Sequence, residues 1–183
     1  MWRVLLLSLM AALSACAGSP PSTVPSAAGS AIAASDVCTI HPPWTGFVRD
    51  FISSDGRVID ASVPEQITTS EGQSYALFFA LVNRDQARFD QLLQWTENNL
   101  AAGDLRTHLP AWSWGKADDG QWRVLDRNAA SDSDVWIAYS LLAAAELWPN
   151  TRYREVGLAL AKRIIEAETV VLPRYGRVLL PGP

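Results

Sequence analysis

Two segments of this chain are apolar on nearly every side when wound as helices, and each is entered through acidic residues. The first runs Ser70-Glu71-Gly72-Gln73-Ser74-Tyr75-Ala76-Leu77-Phe78-Phe79-Ala80-Leu81. The second runs Ser131-Asp132-Ser133-Asp134-Val135-Trp136-Ile137-Ala138 and continues, rich in alanine, to Trp148. A helix without a polar face has to be covered all round. These two, expected over about residues 70–83 and 132–148, therefore predict an inner layer. Two amphipathic segments predict an outer one. The first is capped by Asp85, aligns Phe89, Leu92, Leu93 and Leu100 on one stripe, and stops at Gly103. The second spans about Arg152 to Glu168, after Pro149 has ended the helix before it, with Arg154, Glu155, Lys162 and Arg163 on its polar face. Helices joined by short connections pair up and down, so the two inner helices run parallel. Their N-termini then share one end, which brings Glu71, Asp132 and Asp134 to a single rim.

The remaining segments frame this helical unit, which reads as all-α with short extended pieces. Residues 2–15 set one arginine before a short apolar run ending in small residues, too short to span a bilayer and suited to an export signal. The run ends Leu13-Ser14-Ala15-Cys16, which resembles a bacterial lipobox, with the sulfur of Cys16 as lipid carrier. Ordinary cleavage at the small-residue site Ala15-Cys16-Ala17 is the alternative. Residues 16–36 are mostly Ala, Gly, Ser, Pro and Thr with almost no charge, a flexible tether. The folded part is read as 37–183. With Cys16 lipidated, Cys38 is the one thiol left, and an odd cysteine in an exported protein suggests a missing partner. The expected location is the periplasm, or the outer membrane through a lipid anchor, or secretion. A first helix is read over 43–52, with Trp44, Phe47, Val48, Phe51 and Ile52 on one face. A turn follows at Ser54-Asp55-Gly56, then an extended piece over 57–60. Residues 104–129 are irregular, with a hairpin about Asp118-Asp119-Gly120, and residues 176–181 read as a strand.

A formal net charge of −4 argues against nucleic acid as a partner. His41 and His108 are the only histidines and lack metal-ligand spacing, so no metal or other cofactor is expected. Glu71 and Asp132 on one rim suit glycoside hydrolysis, in which one carboxyl protonates the leaving oxygen while another acts across the sugar. Eight tryptophans supply flat surfaces for sugar rings. Trp112 and Trp114, in Leu109-Pro110-Ala111-Trp112-Ser113-Trp114-Gly115, fall on one side of an extended segment, with Tyr75 as a further wall. A structural reading fits the same residues. Thr68-x-x-Glu71, Ser70-x-x-Gln73 and Ser131-x-x-Asp134 all suit capping boxes, and acids favour helix N-termini.

At these stretches the chain resembles glycoside hydrolase family 8, and within it the periplasmic β-1,4-glucanases that accompany bacterial cellulose synthase. The likeness runs from near Cys38 to the end. It rests on Gly56-Arg57-Val58-Ile59-Asp60, on Thr68-Thr69-Ser70-Glu71-Gly72-Gln73-Ser74-Tyr75, on the Trp112 and Trp114 segment, and on Ala130-Ser131-Asp132-x-Asp134-Val135-Trp136. The resemblance implies an (α/α)6 barrel, inverting endo-hydrolysis of β-1,4-glucan (cellulose), no required metal, and a possible cellulose synthase complex as partner. It implies Glu71 as proton donor and Asp132 as a residue of the −1 subsite, with Trp112, Trp114, Tyr75 and Asp134 as substrate contacts. Ser133 departs from the Gly or Ala of the family pattern. The implied barrel has twelve helices, against five read here, and its catalytic base matches no position in this chain. The expectation is therefore an N-terminal half of the catalytic domain. A glucan-binding lipoprotein without catalysis and an inactive fragment are the rival expectations.

Overall fold

The structure, a computed structural model, describes residues 42–183. The export signal, Cys16, the tether, Cys38 and His41 lie outside the described residues. Five helices carry the fold: α1 (Pro42–Phe51), α2 (Ser70–Val82), α3 (Gln86–Leu100), α4 (Ser131–Leu147) and α5 (Thr151–Ala167). The caps explain where they begin. Asp85 accepts from Arg88 N at 3.0 Å ahead of α3, as expected, and Asn150 accepts from Arg152 N at 3.0 Å ahead of α5. No helix among the described residues is long and apolar enough to cross a membrane.

Helix α2 packs between α3 and α4, and α4 packs between α2 and α5. The layering follows the expectation from polarity. Ala76, Leu77 and Ala80 of α2 and Ile137, Leu141 and Ala144 of α4 are buried. Phe89, Leu92 and Leu93 of α3 cover one flank, and Tyr153, Val156 and Leu160 of α5 cover the other. Small alanines on the inner helices let the axes approach closely. Gly157 of α5 serves the same end, since a Cβ there would lie 3.0 Å from the Leu142 side chain.

One side of the inner layer differs from the all-round burial expected of it. Tyr75, Phe79 and Val82 of α2 and Val135, Trp136 and Tyr139 of α4 are exposed. Phe78 of α2 meets Trp136 with ring centroids 4.9 Å apart, so the two helices present a joined aromatic face. The reason is topological: among the described residues both neighbours of each inner helix lie on its other sides.

Two small sheets complete the unit. Strands β1 (Thr68–Thr69), β2 (Ser113–Lys116) and β3 (Trp122–Asp126) form an antiparallel sheet in that order. The β2–β3 hairpin turns about Gly120, at φ +82°, where the Asp118-Asp119-Gly120 signal placed it. Strands β4 (Thr169–Leu172) and β5 (Gly176–Leu179) pair antiparallel. Only β5 was expected. The β-branched run Thr169-Val170-Val171 supplies its partner directly after α5.

The turn before Val58 requires glycine. Gly56 has φ +95°, and a Cβ there would lie 2.5 Å from the carbonyl oxygen of Gln91 on α3. Gly56→Ala is expected to lower stability by about 2–3 kcal/mol through strain and backbone overlap together. A thermal melt followed by circular dichroism reads the loss, and an unchanged midpoint would show that the turn relaxes freely.

Candidate active site

The rim is built from the first turns of α2 and α4. Strand β1 delivers α2 with Thr69 as N-cap, its hydroxyl accepting from Gly72 N at 3.2 Å. Neither predicted capping box at this end forms. Ser70 turns instead to Ser133, and Gln73 is buried under the turn at Gly56. The Glu71 carboxylate is thereby released from any capping duty. Its Oε1 accepts from Trp112 Nε1 at 2.9 Å. Trp112 is itself fixed by its backbone: its carbonyl accepts from Ser70 N at 2.9 Å and its N–H donates to Asn128 O at 2.7 Å. The indole so held orients a half-buried carboxylate whose one contact within its own helix is a long 3.5 Å approach of Ser70 Oγ to Oε2.

A cleft of about 400 Å³ opens beside Glu71, lined by Thr69, Gly72 and Tyr75 and walled by Phe47 and Phe51 of α1. Tyr75 lies one helical turn beyond Glu71 and is 45% exposed, so its ring faces this opening. The lining is mostly apolar with two acids, Glu71 and Asp60, the usual make-up of a small-ligand cleft.

Asp132 stands exposed in the first turn of α4. The cap there is Ala130, with no side-chain hydrogen bond, so the predicted Ser131–Asp134 box is also absent. The two helix starts are pinned to each other by the hydroxyls of Ser70 and Ser133, 2.8 Å apart and buried. Ser133 donates its proton to Ala130 O at 2.8 Å. A hydroxyl carries one proton, so Ser70 is the donor between the serines, in preference to its longer 3.5 Å approach to Glu71 Oε2. Ser133→Ala is expected to cost about 1–2 kcal/mol, because it leaves the buried Ser70 donor only the long contact with Glu71 Oε2. Chemical denaturation measures it, and an unaltered midpoint would show that Ser70 finds another acceptor.

Two expected contacts are placed elsewhere. Asp134 is wholly buried and cannot touch a sugar. Residues two apart on a helix point about 200° from one another, so Asp132 and Asp134 cannot both face the cleft. Burial first, then the charge of Glu168, pushes the Asp134 carboxyl up to about 9. Trp114 is not brought to Glu71. Its ring stacks on Trp122 at 5.0 Å and meets Trp95 edge-on at 5.3 Å. The Arg57 guanidinium sits over both Trp114 and Trp122, at 5.1 and 4.8 Å from their centroids. The register shift opposite Ser113 and Trp114 leaves the extra residue, Leu125, on β3, so residues 112–116 keep their alternation. It is the packing on Trp122 and Trp95 that occupies Trp114. Among the described residues no group of three or more His, Cys, Asp and Glu is arranged to hold a metal ion.

Sequence reasoning did not single out Glu168, the C-cap of α5, which is fully buried and acts on Asp134. It resembles any acid ending an amphipathic helix, and only the return of residues 180–181 across it reveals the burial.

Residues 20–183 match the sequence profile of Glycosyl hydrolases family 8. An endoglucanase of Salmonella typhi is 57% identical over 152 residues, which are 83% of this chain and 41% of the relative. An endoglucanase of Escherichia coli K12 is 55% identical over 145 residues, 79% of this chain and 39% of the relative. Among solved structures, the endo-1,4-D-glucanase of Vibrio fischeri ES114 superposes with TM-score 0.74 at 55% identity, over 76% of this chain and 40% of that one. The endo-β-1,4-glucanase of Acetobacter xylinum superposes with TM-score 0.66 at 29% identity, over 76% of this chain and 42% of that one. The chain thus spans about two fifths of the length of the curated relatives it matches. The five helices are accordingly part of an (α/α)6 barrel.

Proposed function

The chain belongs to glycosyl hydrolases family 8, and we propose that it carries the acid-bearing part of an endo-acting hydrolase of β-1,4-glucan that works by inversion. One observation carries the reading. Glu71 is held by Trp112 Nε1 at the mouth of the cleft while Thr69 does the capping. A carboxyl whose structural work is done by a neighbour is free for chemistry.

In this reading Glu71 is the general acid. The indole engages Oε1 at 2.9 Å, and Oε2, met by Ser70 Oγ only at 3.5 Å, presents a proton to the glycosidic oxygen as the bond breaks. Asp132, exposed at the same rim, binds and steadies the sugar in the −1 subsite as positive charge develops on its ring. Tyr75 and the exposed face of Trp112 supply surfaces for adjoining sugars. The water-activating base that inversion needs is assigned to none of the described residues.

Cellular setting belongs to the same proposal. The apolar run at residues 2–15 supports export to the periplasm, and Leu13-Ser14-Ala15-Cys16 supports lipid anchoring through Cys16. Work beside a cellulose synthase complex follows from the family likeness. The test is release of reducing ends from soluble β-1,4-glucan by the native protein, with the anomer first formed read by proton NMR. Inversion of a β-bond yields the α-anomer. Binding of cellulose with no release of ends would overturn the catalytic reading.

A further inference from the structure

We propose that Asp134 and Glu168 form a carboxyl–carboxylate pair sharing one proton, and that this pair holds the first turn of α4, and with it Asp132, at the rim. Both side chains are fully buried, and none of their four carboxyl oxygens has a hydrogen-bond partner among the described residues. Two ionised carboxylates are acceptors only and have nothing to give each other. A single proton makes one of them a donor and removes one of two adjacent buried charges. The backbone brings the two residues together. Leu180 N donates to Glu168 O at 2.8 Å, and Leu180 O accepts from Ser131 Oγ at 2.5 Å. Ser131 N donates to Pro181 O at 3.0 Å. The segment 180–181 therefore straps the end of α5 to the start of α4, and the acid pair lies at that strap.

The ionisable groups acting on the pair favour keeping the proton. From α4 it is Asp132 and from α2 it is Glu71, both acids. On β5, Arg177 donates to Thr169 Oγ1. Burial is the main cause holding both carboxyls above the ordinary range. The folded chain therefore binds a proton that the unfolded chain releases in the ordinary carboxylate range. The stabilisation is complete at acid pH and is lost progressively as pH rises through about 9. Loss of the proton to solvent leaves two anions side by side, and the first turn of α4 loses its tie. Asp132 is the residue displaced, so Glu168 is a positioning residue for the reaction proposed above. That role rests on the glucan reading, whereas the shared proton does not.

Infrared spectroscopy of the native chain tests the pair directly. A protonated carboxyl stretch that survives Glu71→Gln is expected at neutral pH and should vanish on titration past about pH 9. In Glu168→Gln the amide donates to an ionised Asp134, so the band should be missing and the fall of thermal midpoint with rising pH should flatten. Asp134→Asn should do the same from the other side, so one folded variant suffices. The absence of the band from the native chain at neutral pH overturns the proposal. So does a variant that keeps both the band and the native pH slope. A native chain that shows the band but cleaves no glucan leaves the pair standing and removes the catalytic reading instead.

Discussion

Glu71→Gln is expected to reduce glucan hydrolysis by about 10²–10⁴-fold, the contribution of a general acid, while the helical circular dichroism stays as it was. The fold does not depend on the charge. Thr69 caps α2, and Gln at position 71 can still accept from Trp112 Nε1 through its amide oxygen. What is lost is the proton. Initial rates on soluble β-1,4-glucan with native and variant protein give the comparison. Near-native cleavage by a folded variant would remove Glu71 from the chemistry.

The largest effect on stability is expected at Gln73. Its Oε1 accepts from Val58 N at 2.6 Å, and its Nε2 donates to Thr96 Oγ1 at 2.9 Å, with Gly56 O at 3.3 Å and Leu92 O at 3.4 Å alongside. One buried amide thus ties α2 to α3 and to the segment leaving the Gly56 turn. Gln73→Leu keeps the volume and abandons these partners. Unsatisfied buried groups in a network of this kind cost about 3–4 kcal/mol together. Val58 packs under Gly72, 3.4 Å from the position of a Cβ there, so loosening it also loosens the turn that carries Glu71. Denaturant unfolding of Gln73→Leu should show a midpoint far below native. A shift no larger than that of an exposed-site control would mean that the amide is not the tie described here.

What could be read from the chain beforehand was local or topological. Asp85, Pro149 and Gly103 mark helix ends because caps and breakers act within a turn. The common rim of Glu71 and Asp132 followed from up-and-down pairing, and the Ser70–Ser133 bond realises it. The misreadings have physical causes. Thr68, Thr69 and Ser70 all suit an N-cap, and the choice of Thr69 depends on β1 pairing Thr69 with Ser113. Trp114 is taken up by Trp95, Trp122 and Arg57, partners from other segments that no pattern within residues 109–115 announces. Asp134 shares the first turn of α4 and its rim with Asp132, and helical geometry turns the two side chains to opposite faces. The burial of Glu168 depends on residues 180–181 folding back, a contact that no local pattern announces.

The most direct test of the acid assignment varies the leaving group. A dinitrophenolate departs from an aryl β-cello-oligosaccharide without a proton, whereas a sugar alkoxide needs one. The account predicts that Glu71→Gln cleaves the dinitrophenyl substrate at close to the native rate while losing cleavage of β-1,4-glucan. Equal loss on both substrates would contradict it, because a residue whose absence is felt without any need for a proton is not the acid.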